Sequence, residues 1–288
     1  MPDTFGIAAI ATKMMLYFGV LTSTGLVMSA LLFTASIDAV KKDVQKYAIG
    51  FGLLGFLASI ESFSLRGARL TGDVSGMTDP EMLGILLETQ VGTVVYLRLT
   101  GMTAMLIGLF IGGKAYWFSL AGGLVTIWSF AEIGHVPGLE AFWLQLLLAA
   151  HLTVAAFWIG VFIPLRKLAV DPTLNSLAAE LGHGFGRVAI IAVPILLMAG
   201  VVLSWKLVGS FQALFSTGYG VALLAKVSIV TALLGLAAAN KLRFVPALQE
   251  GRPDAGRSLA RAIRFEWICI FGIFLATAIF TSVLTVPT

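Results

Sequence analysis

Charge is what this sequence has least of. Only 12% of its 288 residues are Asp, Glu, Lys or Arg, where soluble domains carry about 25%. Hydrophobic residues make up 58% and the mean hydropathy is +0.96. That balance excludes a water-soluble globular domain and predicts an integral membrane protein. The single cysteine, Cys269, excludes an internal disulfide and any thiolate cluster. The chain has no HExxH, no CxxC, no phosphate loop and no nucleophile triad, so no enzyme is predicted. The net charge of +4 does not point to nucleic acid, because the basic residues sit in short loops between apolar runs.

What the sequence has in quantity is apolar runs long enough to cross a bilayer. Eight are present, at about Met14–Ser36, Tyr47–Leu65, Gly92–Gly112, Ala115–Ile133, Ala141–Leu165, Arg187–Leu207, Tyr219–Asn240 and Ala262–Leu284. The predicted fold is all-α, a polytopic membrane protein of eight helices. The first run is too long for a signal peptide and lacks a small-x-small cleavage site, so it reads as a retained helix. Of the 19 Lys and Arg, 13 fall on loops 1–2, 3–4, 5–6 and 7–8 and their flanks. The positive-inside rule then puts both termini outside, in the periplasm of a bacterium whose inner membrane holds the protein. Loop 7–8, with Arg252, Arg257, Arg261 and Arg264, is the longest basic segment. It reads as a solvated cytoplasmic loop that sets topology, with lipid headgroup contact as the alternative.

The chain also echoes itself. Leu86–Leu106 aligns with Leu214–Leu234 at a constant offset of 128, keeping Thr89/Thr217, Gly92/Gly220 and Thr103/Thr231 and setting Arg98 against Lys226. A weaker echo at offset 131 pairs Val20–Thr34 with His151–Leu165. The reading is two parallel four-helix repeats, residues 1–140 and 141–288, with chance likeness of apolar segments as the alternative.

A few polar residues interrupt the apolar runs. His151 opens the stretch HLTVAAFWIGVFIPL, and Trp158 lies two turns later on the same side. Counted from Ala141 at 1.5 Å per residue, His151 lies roughly 15 Å deep, near the middle of a bilayer core. An imidazole there faces protein, water or a ligand, and is either a packing histidine or a functional one. Arg98, Lys226, Glu61, Arg66, Arg69, Glu132 and His135 concentrate in the outer half of the spans or beside it. A polar cavity open to the outside would explain them. Snorkelling of Arg98 and Lys226, and an ion pair of Glu61 with an arginine, are the structural alternatives. The candidate metal set is His151, His135, Glu61, Met14 and Met102, with Arg98, Lys226 and Trp158 in structural or charge-compensating roles. His183 reads as interfacial. Imidazole with soft thioethers suits Cu(I), although methionine is also ordinary packing in apolar helices.

From these residues the chain resembles the copper resistance protein D (CopD) family. The likeness rests on the His151–Trp158 helix, on Phe185 and Arg187 at the start of helix 6, and on Gly200 and Trp205 near its end. It rests also on the T-x-Y-G before helix 7 with Lys226, and on Asn240 with Arg243. It covers roughly Ala141 to Val286 and, more loosely, the LLETQVGTVVYLRL segment. The resemblance implies an inner-membrane protein of copper homeostasis that moves copper from periplasm to cytoplasm, with Cu(I) bound transiently. It also implies a periplasmic CopC-type copper-binding protein as partner. The N-terminal tail carries no histidine- or methionine-rich copper box. Two other classes compete: a haem- or quinone-linked membrane redox protein, and a non-transporting scaffold. A bis-histidine haem needs two imidazoles at one depth, and His135 and His151 differ by roughly 15 Å.

Overall fold

The computed structural model describes residues 4–134 and 141–284. Among these residues it is built of helices, with no strand. The main helices are α1 (Thr4–Leu32), α2 (Lys41–Thr71), α3 (Gln90–Ile111), α4 (Tyr116–Trp128), α5 (Phe142–Val170), α6 (Asn175–Val208), α7 (Gly218–Ala239) and α8 (Ala255–Ser282). Seven of them, all but α4, are long and apolar enough to cross a membrane. At 13 residues α4 is only about 20 Å long, short of a bilayer core of about 30 Å.

Helix ends are set by local chemistry. Thr89 caps α3 by accepting from the Val91 amide at 3.1 Å, and Thr217 caps α7 by accepting from the Gly220 amide at 3.0 Å. Asp171 separates α5 from α6. Its carboxylate accepts from the Thr173 hydroxyl at 2.7 Å and the Thr173 amide at 2.9 Å, and these two bonds hold it below the usual carboxylate range.

Two helices form the middle. α1 packs against α2, α4, α5 and α8, and α5 in turn packs against α6 and α8. The crossing of α1 and α5 is backbone on backbone: a Cβ on Gly25 would overlap the Ala156 carbonyl, and one on Gly160 would overlap Gly25 itself. Small residues at such a crossing allow the close packing that drives association in lipid, where no hydrophobic force separates helix from tail.

The interior is correspondingly small and hydroxylic. Thr12, Thr22, Ser23, Thr24 and Ser29 of α1 are all buried, with Ser59, Ser119, Thr126 and Ser129. The Ser23 hydroxyl donates to the Ala48 carbonyl at 2.7 Å, tying α1 to α2. Large apolar side chains point the other way: Leu53, Leu57, Ile190, Ile191, Met198 and Val201 are exposed. This inversion of a soluble protein's pattern is what a lipid surround favours.

The apolar runs mark the helices' middles and miss their ends. α1 begins at Thr4 and not at Met14, because Lys13 is carried inside the helix: its ammonium donates to the Thr281 carbonyl at 2.9 Å and hydroxyl at 3.1 Å. α6 begins at Asn175, 12 residues before Arg187, with Glu180 and His183 on its exposed faces.

Candidate functional site

His151 sits where α5 meets α6. Its Nδ1 lies 3.0 Å from the Leu196 carbonyl oxygen. A carbonyl only accepts, so Nδ1 carries the proton, and Nε2 of the neutral ring keeps its lone pair. Backbone anchoring of one ring nitrogen is the way proteins orient an imidazole that binds metal through the other. Gly200, one turn after Leu196, makes the space: a Cβ there would come within 3.3 Å of the ring. Pro194 lies two residues before Leu196 in the same helix and cannot donate an amide, so this stretch of α6 has fewer internal hydrogen bonds. Trp158, two turns after His151, is buried against Phe185, at 6.5 Å between ring centres, and its indole N–H has no hydrogen-bond partner among the described residues.

The two cations that the offset of 128 sets against each other each lie over a phenylalanine. Arg98 is buried, with its guanidinium 5.0 Å from the Phe130 ring centre and its Nε donating to Ser129 at 3.1 Å. Lys226 lies 5.4 Å from the Phe280 ring centre. Such pairs hold a desolvated cation by about 2 kcal/mol. Lys13, Arg66 and Arg69 share the end of the bundle with Arg98, close enough for mutual repulsion. No ion pair to an acid neutralises any of the four among the described residues. They form a local cluster of cations within an end that also carries Asp73, Asp79, Glu81 and Glu88 between α2 and α3, and Glu132 after α4.

The other sequence candidates do not gather round His151. Glu61 is exposed on α2 and forms no ion pair among the described residues; Arg98 is held by Ser129 and Phe130 instead. Met102 is fully buried, its methyl group packed at Gly55 between α2 and α3. Met14 is half-buried on α1 and His183 is exposed on α6. His135 lies outside the described residues. Among the described residues no three His, Cys, Asp or Glu side chains form a metal-holding group. A groove of about 360 Å³, lined by Phe56, Leu99, Thr103 and Phe118, is apolar and on the α3 side, away from His151.

One pair escaped the sequence reading. Glu266 of α8 is 2% exposed, and Asn240, at the end of α7, is 8% exposed. The Asn240 amide nitrogen donates to Glu266 Oε2 at 2.9 Å. Asn240 opens a π-helical turn, Asn240–Phe244, just before Pro246. Proline clashes with the carbonyl four residues back, and the wider turn relieves that clash. The signal was present, a carboxylate inside an apolar run, but Arg261 and Arg264 beside it read as a topology signal.

Two family models match. That of the copper resistance protein D-like N-terminal domain covers residues 1–142, and that of copper resistance protein D covers residues 179–280. Among curated proteins, copper transport protein CutJ of Bacillus subtilis (strain 168) is 29% identical over 141 residues, which is 48% of this chain and 25% of that protein. Copper resistance protein D of Pseudomonas syringae pv. tomato is 26% identical over 234 residues, 74% of either chain. The chain thus spans about a quarter of the first relative and about three quarters of the second. No solved structure matches.

Proposed function

The chain belongs to the copper resistance protein D family, and from that premise we propose that it carries copper across the bacterial inner membrane, from periplasm to cytoplasm. Its role in copper homeostasis follows from the family; the direction and the path are our reading. The observation that carries it is the Nδ1–H bond from His151 to the Leu196 carbonyl, which leaves Nε2 as a lone-pair donor in mid-membrane. A neutral imidazole nitrogen there is a transient ligand for Cu(I), the cargo. Weak binding by few ligands suits a pathway, because the ion must leave again.

We count α4 as a crossing, making eight, and treat residues 1–140 and 141–288 as parallel repeats. The matching Thr89 and Thr217 caps and the two cation–ring pairs support this. So does the contact of Gly25 with Ala156, positions equivalent at offset 131. Both termini then face the periplasm, and the Lys13, Arg66, Arg69 and Arg98 end with them. We further propose that a periplasmic copper-binding protein of the CopC type hands the ion over at that end. No bond-making step is assigned to any residue, and the protein acts as a permease and not an enzyme. The test is purified protein in proteoliposomes with external Cu(I). Copper accumulation above protein-free vesicles is expected, and its absence with correctly inserted protein overturns the reading.

A further inference from the structure

Glu266 has no role in the path described so far, yet its placement is costly. A carboxyl group buried in a membrane-spanning bundle is either protonated or faces positive charge. No lysine or arginine forms an ion pair with it among the described residues, and residues 1–3, 135–140 and 285–288 contain neither type. Its one side-chain hydrogen bond among the described residues is from the Asn240 amide. The other end of that amide, Oδ1, is buried with no hydrogen-bond partner among the described residues. A buried carbonyl oxygen without a donor carries its full desolvation penalty. An electron-rich oxygen and a carboxylate without a counter-charge thus sit together, and both gain from the same thing, a cation. A third donor is close by. Cys269, one turn after Glu266 on α8, shares its face and lies within its electrostatic reach.

We propose that Glu266, Asn240 and Cys269 form a second cation station, near the end of the bundle opposite the termini, for a soft monovalent ion. The charge count selects the valence: as sulfur binds, the thiol proton passes to the Glu266 carboxylate, so that one thiolate and one monovalent cation make a neutral pair, whereas a divalent ion leaves a net charge in low dielectric. The thiol selects softness, since carboxylate and amide oxygens alone suit hard ions. On the copper reading, on which this inference rests, the ion is Cu(I) and the station is its exit from the His151 level. The π-helical turn beginning at Asn240 widens α7 where the amide must face α8.

Cys269 is the only cysteine, so alkylation reports on this station alone. Full-length protein in lipid nanodiscs is reacted with a membrane-permeant maleimide, with and without buffered Cu(I), and the single adduct is followed by intact mass. Cu(I) is expected to slow alkylation of the wild type, because a metal-bound sulfur is no longer free to attack. Glu266→Gln and Asn240→Leu are expected to need roughly 10–100-fold more Cu(I) for the same protection, each measured against its own metal-free rate, with thermal unfolding in the nanodisc as the check of the fold. If Glu266→Gln lowers the melting temperature, Asn240→Leu decides. Unchanged protection in the variants overturns the station, as does a wild type that binds copper without protecting Cys269; both leave the copper reading standing. A wild type that binds no Cu(I) at all overturns both.

Discussion

Lys13 and Thr281, 268 residues apart, are joined at one end of the bundle: the ammonium donates to both the carbonyl and the hydroxyl of the threonine. The start of α1 and the end of α8 therefore lie side by side, as an even number of crossings requires. The basic loop between α7 and α8 lies at the other end. With Ser258→Cys in a Cys269→Ser background, an impermeant maleimide is expected to label inverted membrane vesicles and not intact spheroplasts. Labelling of intact spheroplasts would place the basic loop outside and reverse the orientation.

The contact of α1 with α5 leaves no room for a side chain at its centre. Gly160→Leu is expected to destabilise the protein by more than the roughly 1–3 kcal/mol usual for overpacking, because backbone and not a flexible side chain must move. Gly84→Ala is the control, since nothing lies within 4 Å of its added carbon. Thermal unfolding in detergent distinguishes them. Equal melting temperatures for Gly160→Leu and wild type would show that the two helices do not meet there.

Arg98 is fixed by a ring and a hydroxyl, so its partner is Phe130 and not Glu61. A double-mutant cycle of Arg98→Met with Phe130→Leu is expected to return a coupling of about 1–2 kcal/mol. The cycle of Arg98→Met with Glu61→Gln is expected to return a coupling near zero. A larger coupling to Glu61 would restore the ion pair that the sequence suggested.

Much of this was legible in the sequence, and the remainder was hidden for physical reasons. Hydropathy marks the lipid-buried middle of each helix, so seven of the eight expected spans coincide with helices long and apolar enough to cross, while the fourth falls on the short α4. It is blind to helix that continues into water, as in Asn175–Gly186, and to charge satisfied inside, as at Lys13. His151 stood out because an ionisable group in an apolar run is rare. Its partner did not, because a backbone carbonyl such as that of Leu196 carries no side-chain signature. Glu61 and Met102 were proposed from depth along their helices. Depth says nothing about azimuth, and one proves exposed while the other is sealed in the core. Glu266 was visible yet passed over, since Asn240, which bonds it, is 26 residues away.

The central claim is that His151 Nε2 handles copper, and the direct measurement is Cu(I) uptake into proteoliposomes by His151→Ala and His183→Ala at matched insertion. His183 is exposed on α6, away from the path. The account predicts uptake reduced by roughly ten-fold or more in the first variant, the lower range for removing a group that positions or binds a metal, and near-wild-type uptake in the second. Equal, near-normal uptake in both would reduce His151 to a packing residue and contradict the account.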